Sequence, residues 1–341
     1  MNKILVTGGC GYIGSHTIVD LLQNGFDVIS IDNNSRSSID VLAGIEKITG
    51  KAVKNYTIDL CHYEDTKNVF RENPDVVGII HFAAYKSVGE SVINPLLYFE
   101  NNISSLVNIL KCAEEFNILN FVFSSSCTVY GNPDDIPVTE ETPQKAGESP
   151  YGISKQMGEQ IIEEFIKTNH IQNILLRYFN PVGAHPSILI GEVPIGKPAN
   201  LVPAITQTAI GKIPSMQVHG EDYPTRDGSC VRDYIHICDI AHAHTLALNY
   251  LLDKKNSTNS EIFNLGTGDG YTVLEVIKAF EKVSKTKLNY TMGPRRGGDV
   301  IAIYANNDKA KTQLGWTPQY NLDDMMDTAW KWELHLKNTA N

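Results

Sequence analysis

The chain alternates short apolar runs with longer stretches patterned like helices. "KILVTGG" (3–9) and "DVISIDN" (27–33) are apolar and β-branched on both faces. Weaker cases follow at "NYTIDL" (55–60), "VVGIIHFAA" (76–84), "NFVFSSS" (120–126) and "NILLRYFN" (173–180). Strands with no polar face belong to a parallel sheet covered on both sides. Between the first two runs, "SHTIVDLLQNG" (15–25) carries apolar residues at helical spacing and ends in Asn-Gly. Strand, helix, strand alternation predicts an α/β fold with a Rossmann-type doubly wound parallel sheet. Beyond residue 180 the texture changes. Segments 180–203 and 220–239 are rich in Pro, Gly and polar residues, and "EIFNLGTGDGYTVLEVIKAFEKV" (261–283) returns to strand, turn and helix. The expected organisation is a Rossmann domain over 1–180, rejoined by the chain near 233–260. The remainder of 181–341 is expected to form mainly a smaller loop-rich α/β lobe.

Composition narrows the class of partner. A net charge of −10 argues against a nucleic-acid or anionic-membrane surface. No apolar stretch approaches membrane-spanning length, and "MNKILVTGG" enters a strand at once, which makes a poor signal peptide. The six cysteines show no C-x-x-C spacing and suit a reducing compartment, so a cytoplasmic location is the default. The two histidines of "AHAH" (241–244) would point to different faces of a helix, and no metal site is expected.

Two stretches carry candidate chemistry. "VTGGCGYIGSH" places Gly8, Gly11 and Gly14 three apart, after a strand and before a helix. In that context Gly8 permits a tight turn, Gly11 the approach of a pyrophosphate to a helix N-terminus, and Gly14 close helix–sheet packing. The plain alternative is an ordinary strand–helix turn. Asp32 stands eighteen residues after Gly14 in "SIDNN". A carboxylate there can bond ribose hydroxyls and repel a 2′-phosphate, favouring NAD over NADP. Arg36 nearby weakens that preference, and Asp32 could instead be a turn or cap residue.

The pattern Tyr-x-x-x-Lys occurs three times, at Tyr63/Lys67, Tyr151/Lys155 and Tyr250/Lys254. The first reads as a solvated amphipathic helix and the last as the polar end of one. Tyr151/Lys155 follows Pro150 at a helix start, about 25 residues after "FVFSSSCTVYG", which presents Ser124, Ser125 and Ser126 at the carboxyl edge of the sheet. Spacing of four puts both side chains on one helical face. A nearby ammonium and a positively charged nicotinamide would both favour the phenolate of Tyr151, with a serine sharing the substrate oxygen.

These stretches, with "FAAYKSVGES", "YFNPVGAHPS", "VRDYIH" and "RRGGD", resemble the extended short-chain dehydrogenase/reductase superfamily and, within it, the UDP-galactose (UDP-glucose) 4-epimerases. The resemblance runs over nearly the whole chain. It implies Tyr151, Lys155 and Ser126 as the catalytic set. Gly8, Gly11, Tyr12, Ile13, Gly14, Asp32, Asn33, Asp59, Leu60, Phe82, Ala83, Lys86, Asn101, Ser124 and Tyr178 would join Tyr151 and Lys155 around NAD. Asn180, Asn200, Leu201, Gln217, His219, Arg232, Arg296, Asp299 and Ile303, with Lys86, Ser126 and Tyr151, would hold the UDP-sugar. The implied cycle oxidises C4, turns the 4-keto sugar over and returns the hydride to its other face. Related 4,6-dehydratases carry an Asp-Glu pair where this chain has Cys127 and Thr128, so dehydration is not expected. Ile303 departs from the Tyr or small residue usual at its position. Being shorter than Tyr, it implies acceptance of N-acetylated UDP-hexoses. A net oxidoreductase and a catalytically dead nucleotide-sugar binder stay open as other classes. So do a helix-cap role for Asn101 and a surface pair between Arg232 and Asp233. The family is commonly a homodimer pairing helices, here 92–116 and 151–167.

Overall fold

The computed structural model describes residues 1–196, 198–296 and 300–339. Along the first half run β1 (Lys3–Thr7), α1 (Tyr12–Gln23), β2 (Asp27–Ile31), α2 (Val41–Thr49), β3 (Lys54–Tyr56), α3 (Tyr63–Glu72), β4 (Val76–His81), α4 (Val88–Ile93), α5 (Pro95–Glu115), β5 (Asn120–Ser126), α6 (Pro150–Ile166) and β6 (Gln172–Tyr178). The second half holds β7 (Asn180–Val182), α7 (Leu201–Ala209), β8 (Met216–His219), β9 (Val231–His236), α8 (Ile237–Leu252), β10 (Ser260–Leu265), β11 (Gly270–Thr272), α9 (Val273–Ser284), β12 (Tyr290–Gly293), β13 (Ala302–Ile303) and α10 (Leu322–Thr339).

One seven-stranded sheet has the order β10-β6-β5-β4-β1-β2-β3, with every pair parallel. Alternation along β1 shows why its strands have no polar face. Ile4 and Val6 enter one buried cluster with α1 and α8, while Leu5 enters another with α3, α5 and α6. The seventh strand comes late. After β9 the chain runs through α8, which packs on α1, and adds β10 beside β6. The return expected near 233–260 therefore reaches Leu265.

The second core gathers Val182, Val202, Ile205, Val218, Tyr234, Phe280 and Met325 between α7, α9, α10 and two small sheets. A small apolar cluster of Val129, Tyr130, Val138, Phe179, Ile303 and Ala305 lies where the carboxyl edge of the large sheet meets this lobe. Strand read at 55–60 ends at Tyr56. Asp59 closes its own turn by accepting the Cys61 N–H at 2.9 Å, which takes it and Leu60 out of the sheet.

Candidate active site

Past β1, Gly8 turns the chain with φ of +69°. Its N–H donates to the Ile31 carbonyl (2.7 Å) and its carbonyl accepts from Gly11 (3.0 Å). A Cβ on Gly8 would lie 2.9 Å from the Ala83 nitrogen, and one on Gly14 would lie 2.2 Å from the Gly8 oxygen. Turn, helix and the Phe82–Ala83 segment after β4 thus meet where only hydrogens fit. Gly14 lets α1 begin directly on the turn, three residues before the start expected from its apolar spacing. Gly11 is the N-cap of α1, with no side-chain bond and no acid in the first turn. The amides of Tyr12, Ile13 and Gly14 have no intrahelical partner, and with the helix dipole they form a cradle for a diphosphate.

Asp32 stands just past β2 and accepts from Cys10 N–H (3.0 Å), Asn34 N–H (2.9 Å) and Ser37 Oγ (2.8 Å). Three of about four carboxylate acceptor positions are used, leaving one for a hydroxyl. Arg36 is turned away from it. Its guanidinium pairs with Glu90 at 2.6 Å and lies over the Tyr85 ring. The turn therefore suits a dinucleotide without a 2′-phosphate better than the sequence alone implies. Asn33 accepts from Ser35 N–H within the same loop. Leu60 is buried, its carbonyl held by Asn108 Nδ2. The Tyr12 phenol donates to the Gly183 carbonyl at 2.6 Å, and Phe82 and Tyr178 both lie against the His244 ring. Asn101 sits inside α5 and donates to Asn102 Oδ1, so it is not a helix cap.

The serine run divides by the strand's two faces. Ser124 Oγ bonds the Tyr178 hydroxyl. Ser125 points the other way, to Glu159 Oε1 at 2.5 Å. Ser126, the last residue of β5, accepts from Thr128 N–H at 3.3 Å, and its hydroxyl bears on the Tyr151 phenol. Helix α6 starts here because Ser149 Oγ caps Gly152 N–H (3.1 Å) and Pro150 occupies the first turn. Lys155, one turn on, is buried and donates to the Ser124 carbonyl at 2.6 Å. Burial pushes the Tyr151 phenol up to about 12, opposed by the Ser126 hydroxyl. Burial also pushes the Lys155 ammonium down to about 8, opposed by the Glu159 charge. On these residues alone burial favours the neutral phenol, while the expected phenolate also draws on the positive nicotinamide of bound NAD⁺. The ammonium is spent on a backbone carbonyl, and desolvation dominates.

The other two Tyr/Lys pairs lie apart from this set, Tyr250 donating to the buried Glu261 at 3.4 Å. Tyr63 and Lys67 both meet Glu115. Lys254 lies beyond the end of α8.

From the second lobe, Asn180 opens β7, and Asn200 and Leu201 start α7. Gln217 and His219 lie on β8, and Arg232 on β9, where it donates to the Val231 and Val300 carbonyls at 2.8 Å. Asp233 is fully buried and accepts from the Thr267, Gly268 and Ala305 amides, which removes the surface pair with Arg232. Ile303 is buried opposite Arg232 in the β13–β9 register. Arg296 follows β12, and Asp299 lies outside the described residues. Lys86 pairs with Glu192 at 2.9 Å.

One element escaped sequence reasoning. Glu159 forms a bidentate ion pair with Arg177 of β6 (2.6 and 2.9 Å), both side chains nearly fully buried behind Ser125. Its signal was the i, i+4 spacing from Lys155, which places an acid one turn along the same face.

A glycine turn at the first βα junction, beside a Ser/Tyr/Lys set at the sheet's carboxyl edge, defines a dinucleotide-dependent enzyme acting at an alcohol carbon. The family model for GDP-mannose 4,6 dehydratase matches residues 5–329. A UDP-glucose 4-epimerase of Bacillus subtilis (strain 168) is 47% identical over 331 residues, 97% of this chain and 96% of the relative. The crystal structure of UDP-glucose 4-epimerase from Bifidobacterium longum in complex with NAD⁺ and UDP superposes with a TM-score of 0.94 at 45% identity, covering 99% of both chains. That of UDP-glucose 4-epimerase from Stenotrophomonas maltophila, with bound NAD and formylated UDP-arabinopyranose, gives 0.96 at 43%, covering 99% of this chain and 100% of the other. The chain belongs to the UDP-glucose 4-epimerases, within the extended short-chain dehydrogenase/reductase superfamily.

Proposed function

We infer that the chain is an NAD-dependent isomerase that interconverts UDP-glucose and UDP-galactose by inverting C4 through a transient 4-keto sugar. The observation that carries this reading is that Tyr151, at the start of α6, and Ser126, at the end of β5, share one sheet edge with the glycine turn and the Phe82–Ala83 segment. The residues present fit NAD. Gly8 leaves a cradle that a Cβ would fill, α1 offers open amides, and Asp32 keeps one acceptor position. When bound, NAD supplies the hydride acceptor and then the donor at C4.

The chain's own residues handle the proton and the geometry. As the phenolate, which the positive nicotinamide of bound NAD⁺ would favour, Tyr151 takes the C4 hydroxyl proton and later gives it back, and Ser126 shares that oxygen. Lys155 fixes the β5 end through the Ser124 carbonyl and keeps positive charge behind the phenol. Arg232 and Arg296 suit the diphosphate, whose firm hold permits the hexose to turn. Asn180, Asn200, Leu201, Gln217, His219 and Asp299 complete the nucleotide-sugar set. Cys127 and Thr128 offer no carboxylic acid for eliminating water, which disfavours dehydratase chemistry. The test is incubation of the purified protein with UDP-galactose alone, followed by chromatography. UDP-glucose formed without added cofactor is expected. A requirement for stoichiometric NAD, or release of a keto sugar, would point to a net oxidoreductase.

We propose in addition that two copies pair through α4, α5 and α6. Val92, Ile93, Leu96, Leu97 and Met157 on these helices are exposed, a concentration of apolar side chains that a second copy would cover. Sedimentation equilibrium is expected to give twice the chain mass, and Leu96→Lys to reduce it. None of the six cysteines forms a disulfide, which suits a cytoplasmic setting. Among the described residues, no helix is long and apolar enough to cross a membrane.

A further inference from the structure

Glu192 lies in the Pro- and Gly-rich crossing between β7 and α7 and belongs to neither the proton set nor the ligand residues named above. Its Oε1 accepts from Lys86 Nζ at 2.9 Å and from Asn200 Nδ2 at 3.4 Å. Its backbone is held from behind. The Trp332 indole of α10 donates to the Glu192 carbonyl at 2.7 Å, and Gly191 rests on the same ring, where a Cβ would come within 2.6 Å. The Glu192 side chain is only 15% exposed, and its charge also bears on the buried Tyr12 phenol. The Tyr12 ring in turn lies 5.6 Å from the Lys86 ammonium.

The Asn200 contact separates this hub from an ordinary ion pair. Asn200 is the N-cap of α7, a position where an asparagine side chain normally closes back on its own helix. Here it makes no capping bond and reaches across to Glu192 instead. Lys86 carries a long, rotamer-rich arm that an anion at one fixed point would confine. One carboxylate oxygen, on backbone pinned by α10, thus ties a residue on the sheet side of the cleft to one on the lobe side.

We propose that Glu192 is a positioning residue that sets Lys86 and Asn200 relative to each other across the cleft. The proposal rests on the reading that Lys86 serves the cofactor and Asn200 the nucleotide sugar. The test uses protein carrying its own retained cofactor, with UDP-galactose as substrate. Glu192→Gln keeps the shape and an acceptor oxygen but removes the charge. It is expected to raise KM about three- to fivefold, the scale of a half-exposed ion pair, with kcat held within about twofold and an unchanged melting temperature. In a cycle with Lys86→Met, read as the fraction of cofactor retained on gel filtration, the double variant is expected to match Lys86→Met alone. A wild-type KM in Glu192→Gln, additive losses in the cycle, or a fall in kcat and melting temperature together would each overturn the proposal. A wild-type chain that fails to epimerise UDP-galactose overturns the functional reading and this proposal with it. A working wild type matched by Glu192→Gln overturns this proposal only.

Discussion

Lys155 donates to the main-chain carbonyl of Ser124 at 2.6 Å, joining the second turn of α6 to the end of β5. The bond places the helix that carries Tyr151 relative to the strand that ends at Ser126. The proposed proton set and the sheet edge are therefore held by the same ammonium.

Removing the phenolic oxygen tests the assigned acid–base group directly. Tyr151→Phe is expected to lower kcat by about 10²–10⁴-fold while retaining NAD and the far-ultraviolet spectrum. Turnover near the wild-type rate would show that another group moves the C4 proton.

The pH dependence of Lys155 has a definite sign. Its ammonium titrates near 8 in the folded chain against an ordinary 10.5. Between those values the unfolded chain binds more protons than the folded one, so this group makes stability rise with pH across the window and contributes no slope below it. Urea midpoints of cofactor-stripped wild type and Lys155→Met, taken at pH 8 and pH 10, read the effect as a difference. Wild type should gain on the variant at the higher pH. A constant gap would refute the low pKa.

Glu159 and Arg177 offer a stability prediction. Both are nearly fully buried, and cutting one partner leaves an uncompensated charge. Arg177→Met is expected to destabilise by roughly 3–5 kcal/mol, measured by denaturant unfolding. The double replacement Glu159→Gln/Arg177→Met should recover part of that loss, because it removes both charges.

Gly14→Ala would push a methyl to 2.2 Å from the Gly8 carbonyl oxygen. Backbone cannot yield as a flexible side chain does, so the cradle must open. A loss of about 1–3 kcal/mol is expected, together with poor cofactor retention. Gly25→Ala, where no atom lies within 4 Å but φ is +86°, serves as a control that strains the backbone without touching the cradle. Equal cofactor loss in both would argue that strain alone is responsible.

We propose that Ile303 bears on substrate range. It is buried beside Arg232 in the apolar cluster with Val129 and Phe179. Wild type is expected to epimerise UDP-GlcNAc alongside UDP-glucose, and Ile303→Tyr to lose the former activity preferentially. Absence of UDP-GlcNAc turnover in wild type ends the idea.

Most strands of the large sheet were legible because parallel strands buried on both faces leave continuous apolar runs, as in "KILVT" and "NFVFSSS". The short strands β7, β8, β11, β12 and β13, of two to four residues, were not. Pairing from distant parts of the chain, not local pattern, makes them strands. Within the site, the glycine turn and Tyr151/Lys155 could be read from spacing. Glu159 stood in plain view four residues past Lys155, yet its partner Arg177 comes from β6. Glu192 had no local signal, since only the fold brings Lys86 and Asn200 to it. The depth of the site was hidden for a similar reason. Spacing places an ammonium near a phenol but says nothing of how deeply both are desolvated.

The late arrival of β10 bears on biosynthesis. Until Leu265 has left the ribosome, β6 remains an unpaired edge, and α1 lacks the α8 surface it packs on. The nascent first half therefore waits, with an open strand able to template wrong pairings, for the whole middle of the chain to be made. A truncation after residue 180 should accordingly yield aggregates in place of a free-standing dinucleotide-binding module.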